Sequence, residues 1–423
     1  MDARENARIL LERSGSQKGD PCPLGTDIFA VLRHVAAGDF SSACGLLLAT
    51  NPLPAVTGRL CPEVFVETQV FNRKSECVSW RAIERFIGDH ARAPRAPAVR
   101  QRQKVAVIGS GPAGLTAAFY LRRQGFRVTV FEASHVPGGS LGYAYAPFRL
   151  PAQVLNRIFL FLKDEGIDLQ CNVLFGRGLL ADELWDKGYA ALLLACGAGF
   201  SVPFFAQGAD AAGIIPVEEF LRFRHWMKAG DERYRTPLAV GGSVVLAGQG
   251  EKMFDAARIL VRLGRSVTVL INGSETHAGV DAATLREASE EGIKIQTFVR
   301  PVSAVKDHAG CIRFLECERM DYKIDPQGRL NMVAAAGDAR FSLELDTFIT
   351  CFGGNPDTMF LRDIPGLEMD IEGVLRLRPG SLCETAVNGI FACGHLLAPA
   401  ADIATVINSA RNASAEIGKF LEV

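Results

Sequence analysis

The residues with the clearest chemical meaning are Gly109, Gly111 and Gly114, in the run Gly109-Ser110-Gly111-Pro112-Ala113-Gly114. Glycines at this spacing, between an apolar strand and a helix, make a phosphate-binding turn. The first allows the tight turn. The second lets backbone N–H groups reach a pyrophosphate, and the third lets the helix approach the strand. The helix start then offers partial positive charge to the phosphates. Glu132 ends the next strand, where a carboxylate accepts bonds from the ribose hydroxyls of an adenosine. A second glycine pair, Gly138-Gly139, follows in the loop Val136–Tyr143. Such a loop suits a long cofactor whose ring runs along it, and so points to FAD. Arg149, in Pro147-Phe148-Arg149-Leu150-Pro151, either stands near the flavin or bridges across a loop.

The elements that must position these residues start at residue 104. Lys104–Gly109 reads as a buried parallel strand, Pro112–Gln124 as a helix and Arg127–Glu132 as the next strand. Tyr189–Cys196 is another buried strand. The pattern restarts with a strand at Ser243–Ala247, a helix over 251–263 and a strand at Ser266–Ile271. Strands at Thr347–Cys351 and Gly389–Cys393 and a helix from Ile403 to Leu421 complete it. This repeated β-α-β grammar implies an α/β chain with two Rossmann-like dinucleotide-binding domains. Residues 1–100 differ: they read as short amphipathic helices, one segment running from Asp27 to Leu48 and another from Trp80 to Ala91. The stretch 91–103, rich in Pro and Arg, reads as a linker.

Composition narrows the function. The 423 residues hold 46 basic and 47 acidic side chains, a net charge of −1, which gives no basic footprint for nucleic acid. Hydrophobic residues make up 48% and charged residues 22%, an ordinary globular balance. Eleven cysteines are scattered with no CxxC. The charged start lacks a signal-peptide core, so a cytoplasmic protein without disulfides is expected. No apolar run is long enough for a membrane span. No nucleophile motif is present, and hydride transfer between cofactors needs little side-chain acid–base chemistry. No catalytic side chain is therefore assigned.

Taken together, these motifs resemble the small (β) subunit of glutamate synthase and related modules of dihydropyrimidine dehydrogenase and bifurcating ferredoxin:NADP oxidoreductases. The resemblance runs along nearly the whole chain. Asn51-Pro-Leu-Pro54, Gly58-Arg-Leu-Cys-Pro62 and Ala82-Ile-Glu-Arg-Phe86 carry it in the N-terminal part. Phe148-Arg-Leu-Pro151, Ala195-Cys-Gly-Ala198, Asp255-Ala-Ala-Arg258 and Phe391-Ala-Cys-Gly394 carry it further on. It implies a helical N-terminal domain plus linker (1–100), an FAD domain in two segments (101–236 and 350–423) and an inserted NAD(P)H-type domain (237–349). The FAD contacts it implies are Gly109, Gly111, Pro112, Ala113, Gly114, Glu132, Ala133, Gly138, Gly139, Leu141, Arg149, Cys196, Gly197, Gly394, His395 and Thr405. The nicotinamide contacts it implies are Gly248, Gly250, Glu251, Asn272 and Gly353.

The chain also departs from that pattern. The family holds two four-iron clusters with closely spaced cysteines. Here no cysteine precedes Cys22, and the run starting Cys61-Pro62 continues with Glu67 and Phe71 at ligand positions. An iron–sulfur cluster needs about four soft ligands, so none is expected, and no metal ligand is assigned. The second phosphate loop, Gly248-Gln249-Gly250-Glu251-Lys252-Met253, puts Met253 where a small residue belongs. It also sets Glu251 at a helix start that should meet phosphate, with Lys252 as partial offset. After the next strand comes Ile271-Asn272-Gly273-Ser274-Glu275, without the paired arginines that would grip a 2′-phosphate. NADH is thus favoured over NADPH, and a domain without nucleotide stays open. His395 replaces the family's aspartate, and the helix from Ile403 would aim its N-terminus at the flavin ring. Cys196 and Cys393 read as small apolar fillers.

Two readings follow. The first is an FAD-dependent oxidoreductase subunit passing electrons between NADH and a partner protein or larger complex. The second is a relay or scaffold flavoprotein without its own nicotinamide site. A self-contained enzyme for a small molecule ranks below both.

Overall fold

The computed structural model describes residues 2–13, 22–61, 79–91, 103–228, 239–325, 329–337, 339–356, 358–399 and 401–422, with backbone alone at 200 and 224–228. Glu67, Phe71, Cys77 and nearly all of the proposed linker lie outside these residues. The chain divides into two compact units. Unit 1 is Met1–Gly142, Pro147–Phe200 and Asn355–Val423; unit 2 is Tyr143–Ala146 and Ser201–Gly354.

Unit 1 begins with helices α1 (Ala3–Arg13), α2 (Ile28–Ala37), α3 (Phe40–Thr50), α4 (Pro54–Leu60) and α5 (Trp80–His90). The apolar segment 27–48, expected as one helix, is two. Gly38 adopts φ +81° and closes α2, while Asp39 starts α3 by accepting a bond from the Ser42 N–H at 3.1 Å. A left-handed glycine followed by a capping Asp outweighs continuous apolar spacing.

A parallel sheet follows, built from β1 (Lys104–Ile108), β2 (Arg127–Phe131), β3 (Asp168–Gln170), β4 (Tyr189–Leu194) and β14 (Ile390–Ala392). Its order is β14-β4-β1-β2-β3. β1 and β4 are apolar and buried almost throughout, as a sheet covered on both faces requires. Helix α6 (Pro112–Arg123) links β1 to β2, α7 (Ala152–Asp164) precedes β3, and α11 (Ile403–Glu422) follows β14. The helical segment is tied to α11: Arg411 Nη1 donates to the carbonyls of Leu24 (2.8 Å) and Thr50 (3.1 Å), and Asn408 Nδ2 to that of Pro23 (2.6 Å). Inside it, Arg59 and Asp89 form a buried two-bond pair, at 3.0 and 2.7 Å.

Unit 2 holds a second parallel sheet of β5 (Ile214–Pro216), β6 (Ser243–Gly248), β7 (Ser266–Ile271), β8 (Lys294–Thr297) and β13 (Thr347–Cys351), in the order β5-β13-β6-β7-β8. Helices α8 (Val217–Lys228), α9 (Glu251–Arg262) and α10 (Ala282–Glu290) belong to it. The unit is larger than the expected 237–349. Its long segment begins at Ser201, with β5 paired to β13, and the buried Asp255 carboxylate accepts the Ala146 N–H at 2.9 Å.

Sequence reading did not anticipate an antiparallel sheet in this unit. Strands β9 (Val299–Lys306), β10 (Ile312–Ile324), β11 (Leu330–Ala334) and β12 (Arg340–Glu344) form it, with β10 pairing all three others. Its inner face buries Ala304, Leu315 and Cys317 against Leu270 and Phe348 of the parallel sheet. No helix among the described residues is long and apolar enough to cross a membrane.

Candidate cofactor site

In unit 1 the carboxyl ends of β1 and β4 mark the point where strand order reverses, the usual binding crevice of such sheets. Gly109 turns the chain with φ +102°. A Cβ on Gly114 would collide with the Gly109 carbonyl, so only glycine lets α6 come this close to the turn. A Cβ on Gly111 would meet nothing within 4 Å, and no side chain caps the helix start there. The N-terminus of α6 therefore opens onto space suited to an anion. Pro112 at its first turn needs no N–H partner, and Ala113 is buried beneath it.

Glu132 is buried and engaged. Its Oε2 accepts from the Ser110 N–H (2.9 Å) and hydroxyl (2.6 Å), and its Oε1 from the Ser134 N–H (2.8 Å). A carboxylate has about four acceptor sites, so this leaves room for one ribose hydroxyl rather than the two expected from sequence. Ser110 also accepts the Gly138 N–H at 2.8 Å, which draws the second glycine pair over the first loop. A Cβ on Gly139 would stand 2.9 Å from Gly111 Cα. Ala133 is exposed beside Glu132, whereas Leu141 is a core side chain, 1% exposed, and could reach a cofactor only through its backbone. Arg149 is half-buried.

The other end of the crevice follows β4 and β14. Cys196 is partly buried, with its thiol 3.6 Å from the Ile108 carbonyl, and Gly197 (φ +77°) faces open space. Burial holds the Cys393 thiol far above its ordinary range, which fits an inert filler. A Cβ on Gly394 would lie 2.8 Å from Ala113 Cβ and 3.7 Å from Val406 Cγ1. This turn is thus flanked by the first turns of both α6 and α11. Ser409 accepts the Gly394 N–H at 3.0 Å, and His395 Nε2 lies 2.9 Å from the Ala401 carbonyl. Thr405 is exposed on the first turn of α11, with its N–H held by the Asp402 carboxylate at 2.7 Å. Ser110, Ser134, Ser409 and Asp402 were not singled out from sequence. Of these, only Asp402, an Asp just before an apolar helix, carried a readable signal.

The loop of unit 2 is built differently. Gly248 (φ +137°) packs against the Cys351 carbonyl and makes the expected turn. The Gly250 N–H, however, donates to the Ala278 carbonyl at 2.7 Å. Gly279 lies beside it, where a Cβ would stand 3.1 Å from Gly250 N. One amide expected to meet a pyrophosphate is thus taken by the chain itself. Lys252, the expected offset to Glu251 at the helix start, donates its Nζ to the nearly buried Glu218 at 3.1 Å. Met253, at the third loop position, is fully buried in the unit's core. Asn272 is exposed, and Gly353 (φ +91°) accepts the Val202 N–H at 3.0 Å.

In the helical segment, Glu84 is buried and accepts from Asn51 and Thr57, each at 2.9 Å. Burial pushes its carboxyl up to about 7. Burial also raises the Cys22 thiol, and burial with the Glu84 charge pushes Cys61 up to about 12. Among the described residues no group of three or more His, Cys, Asp or Glu side chains is placed to hold a metal ion.

Comparison with known proteins agrees with this architecture. The family model described as pyridine nucleotide-disulphide oxidoreductase matches residues 103–416. A second, described as dihydropyrimidine dehydrogenase domain II, 4Fe-4S cluster, matches residues 4–96. The glutamate synthase [NADPH] small chain of Escherichia coli is 29% identical over 416 residues, covering 95% of this chain and 88% of that one. The NADPH-Fe(3+) oxidoreductase subunit beta of Geobacter sulfurreducens is 28% identical over 379 residues, covering 86% of this chain and 54% of that one. The chain thus spans about half the length of that relative. Among solved structures, FprA of Mycobacterium tuberculosis in complex with NADPH superposes with a TM-score of 0.63 at 18% identity, covering 76% of this chain and 85% of that one. Thioredoxin reductase of Lactococcus lactis gives 0.53 at 19%, covering 76% and 100%. With the matched model spanning both sheets and the open crevice, the chain belongs to the pyridine nucleotide-disulphide oxidoreductase family.

Proposed function

We propose that this chain is the FAD-bearing subunit of a redox complex and passes electrons between a nicotinamide nucleotide and a partner protein. The open N-terminus of α6 at Gly111, with Glu132 fixed beside it, is the observation that carries this reading. FAD, when bound, supplies the hydride-accepting and electron-donating chemistry. The chain's part is to hold it. The α6 amides would face the pyrophosphate, Glu132 one ribose hydroxyl, and the turns at Gly138-Gly139, Gly197 and Gly394 would leave room for the rest. A docked partner would exclude water from the crevice. Relatives that are named as subunits of larger oxidoreductases support a partner.

NADH is the preferred nucleotide in this reading. The relatives' names specify NADPH, but Asn272-Gly273-Ser274-Glu275 offers no guanidinium to a 2′-phosphate. We also propose that the helical domain works without a cluster. The 4Fe-4S family match supports its fold and argues for a cluster. Glu67 and Phe71 at expected ligand positions, and no cysteine before Cys22, leave too few soft ligands and argue against one.

One observation favours a second reading, a relay flavoprotein that takes no nucleotide: the Gly250 N–H is already bonded to Ala278. A visible spectrum of the purified protein, before and after anaerobic NADH and NADPH, separates the two. A flavin spectrum bleached faster by NADH supports the first. A flavin that neither nucleotide bleaches supports the second. A protein that neither holds nor takes up flavin overturns both. Iron and acid-labile sulfide assays test the cluster, and stoichiometric iron would overturn the cluster-free domain.

A further inference from the structure

A dinucleotide laid from Glu132 across Gly111 extends towards the turn at Gly394. That turn touches Ala113 on one side and Val406, in the first turn of α11, on the other. The cofactor's ring half would then end near the start of α11. A bare helix start there would carry roughly half a positive charge and favour an anion.

This helix start is not bare. Asp402 stands just before it, its Oδ1 accepting the Thr405 N–H at 2.7 Å and its carbonyl the Val406 N–H at 3.0 Å. Its side chain is exposed, so it brings a full negative charge to the place where the helix offers a partial positive one. Its Oδ1 also occupies the Thr405 N–H, one of the amides at this helix start. Reduction of a flavin by two electrons and one proton leaves one negative charge on the ring. A site that opposes this charge makes the reduced flavin a stronger donor.

We propose that Asp402 is a positioning residue that tunes the flavin through the α11 terminus, lowering its reduction potential and its tolerance of added negative charge. The proposal rests on the FAD reading. It is tested by potentiometric titration of the flavin-loaded protein and by sulfite titration, since sulfite binding to flavin also leaves negative charge on the ring. Asp402→Asn and Asp402→Ser remove the charge but keep a capping oxygen. Both are expected to raise sulfite affinity roughly threefold. The same factor in the two-electron equilibrium is a positive potential shift of ~14 mV. Flavin-loaded variants with unchanged potential and sulfite affinity would overturn the role of Asp402 and leave the FAD reading standing. A wild-type protein that cannot take up FAD would remove the FAD reading, and this proposal with it.

Discussion

Ser110 and Glu132 are joined twice, through the serine hydroxyl at 2.6 Å and its backbone N–H at 2.9 Å. The residue after the first glycine is thus locked to the end of the second strand. The loop is shaped before any ligand arrives, and the carboxylate shapes it in addition to its proposed part as a ribose acceptor.

Glu132→Ala would leave a buried and a part-buried N–H group and a buried hydroxyl without their acceptor. A loss of about 2 kcal/mol in the stability of the flavin-free protein is expected, with a large fall in FAD content. Glu132→Gln, which keeps one acceptor oxygen, should lose less. Urea unfolding and the flavin-to-protein ratio measure the two effects.

Gly111 and Gly114 should respond differently to alanine. Space around Gly111 is open and its φ of −65° suits any residue. Gly111→Ala should change flavin-free stability by less than ~0.5 kcal/mol, yet weaken FAD binding by roughly tenfold through crowding of the ligand. Gly114→Ala meets the Gly109 carbonyl and should cost about 1–3 kcal/mol with or without FAD. Equal losses of stability in both variants would contradict this geometry.

Arg411 fastens the helical segment to α11 through two carbonyls. Arg411→Ala should cost roughly 2 kcal/mol, as expected for bonds from a charged donor. Limited proteolysis should then release residues 1–100 faster than from the wild type. An unchanged cleavage rate would show that other contacts suffice.

Glu84 gives a pH signature. Its folded value, about 7, lies above the ordinary 4.5, so the folded state binds the proton more tightly. The resulting stability is complete below pH 4.5 and is lost as pH rises through 7. It amounts to on the order of 3 kcal/mol. Glu84→Gln should abolish this dependence while keeping the contacts to Asn51 and Thr57. Denaturation midpoints of both proteins from pH 5 to 8 provide the check, and parallel curves would disprove it.

Most of the parallel strands were legible because apolar runs such as Lys104–Ile108 and Ser266–Ile271 are dictated by burial on both faces, whereas the short edge strands β3, β5 and β8 carry no such run and were missed. The first phosphate loop was legible because only glycine fits at Gly114. The antiparallel sheet was not, since strands such as Ile312–Ile324 alternate buried residues with charged ones and lack a continuous apolar run. The bond from Gly250 to Ala278 was equally hidden. It joins two backbone groups, so no side-chain type announces it. The bond from Lys252 to Glu218 was hidden for a related reason: the two meet only through the tertiary fold.

The sheet order of unit 1 also bears on how the protein is made. β14 pairs with β4 in a register that sets Ala392 beside Leu194. The whole of unit 2's long segment, Ser201–Gly354, is synthesised between those partners. A ribosome that has completed β1, β2 and β4 has therefore made a sheet with one edge bare, and α11 does not yet exist. Such an edge is a template for mispairing. On the proposed FAD reading, the turn at Gly394 and the start of α11 join the crevice only after unit 2's long segment has been made, so the two ends of the cofactor site are completed far apart in synthesis.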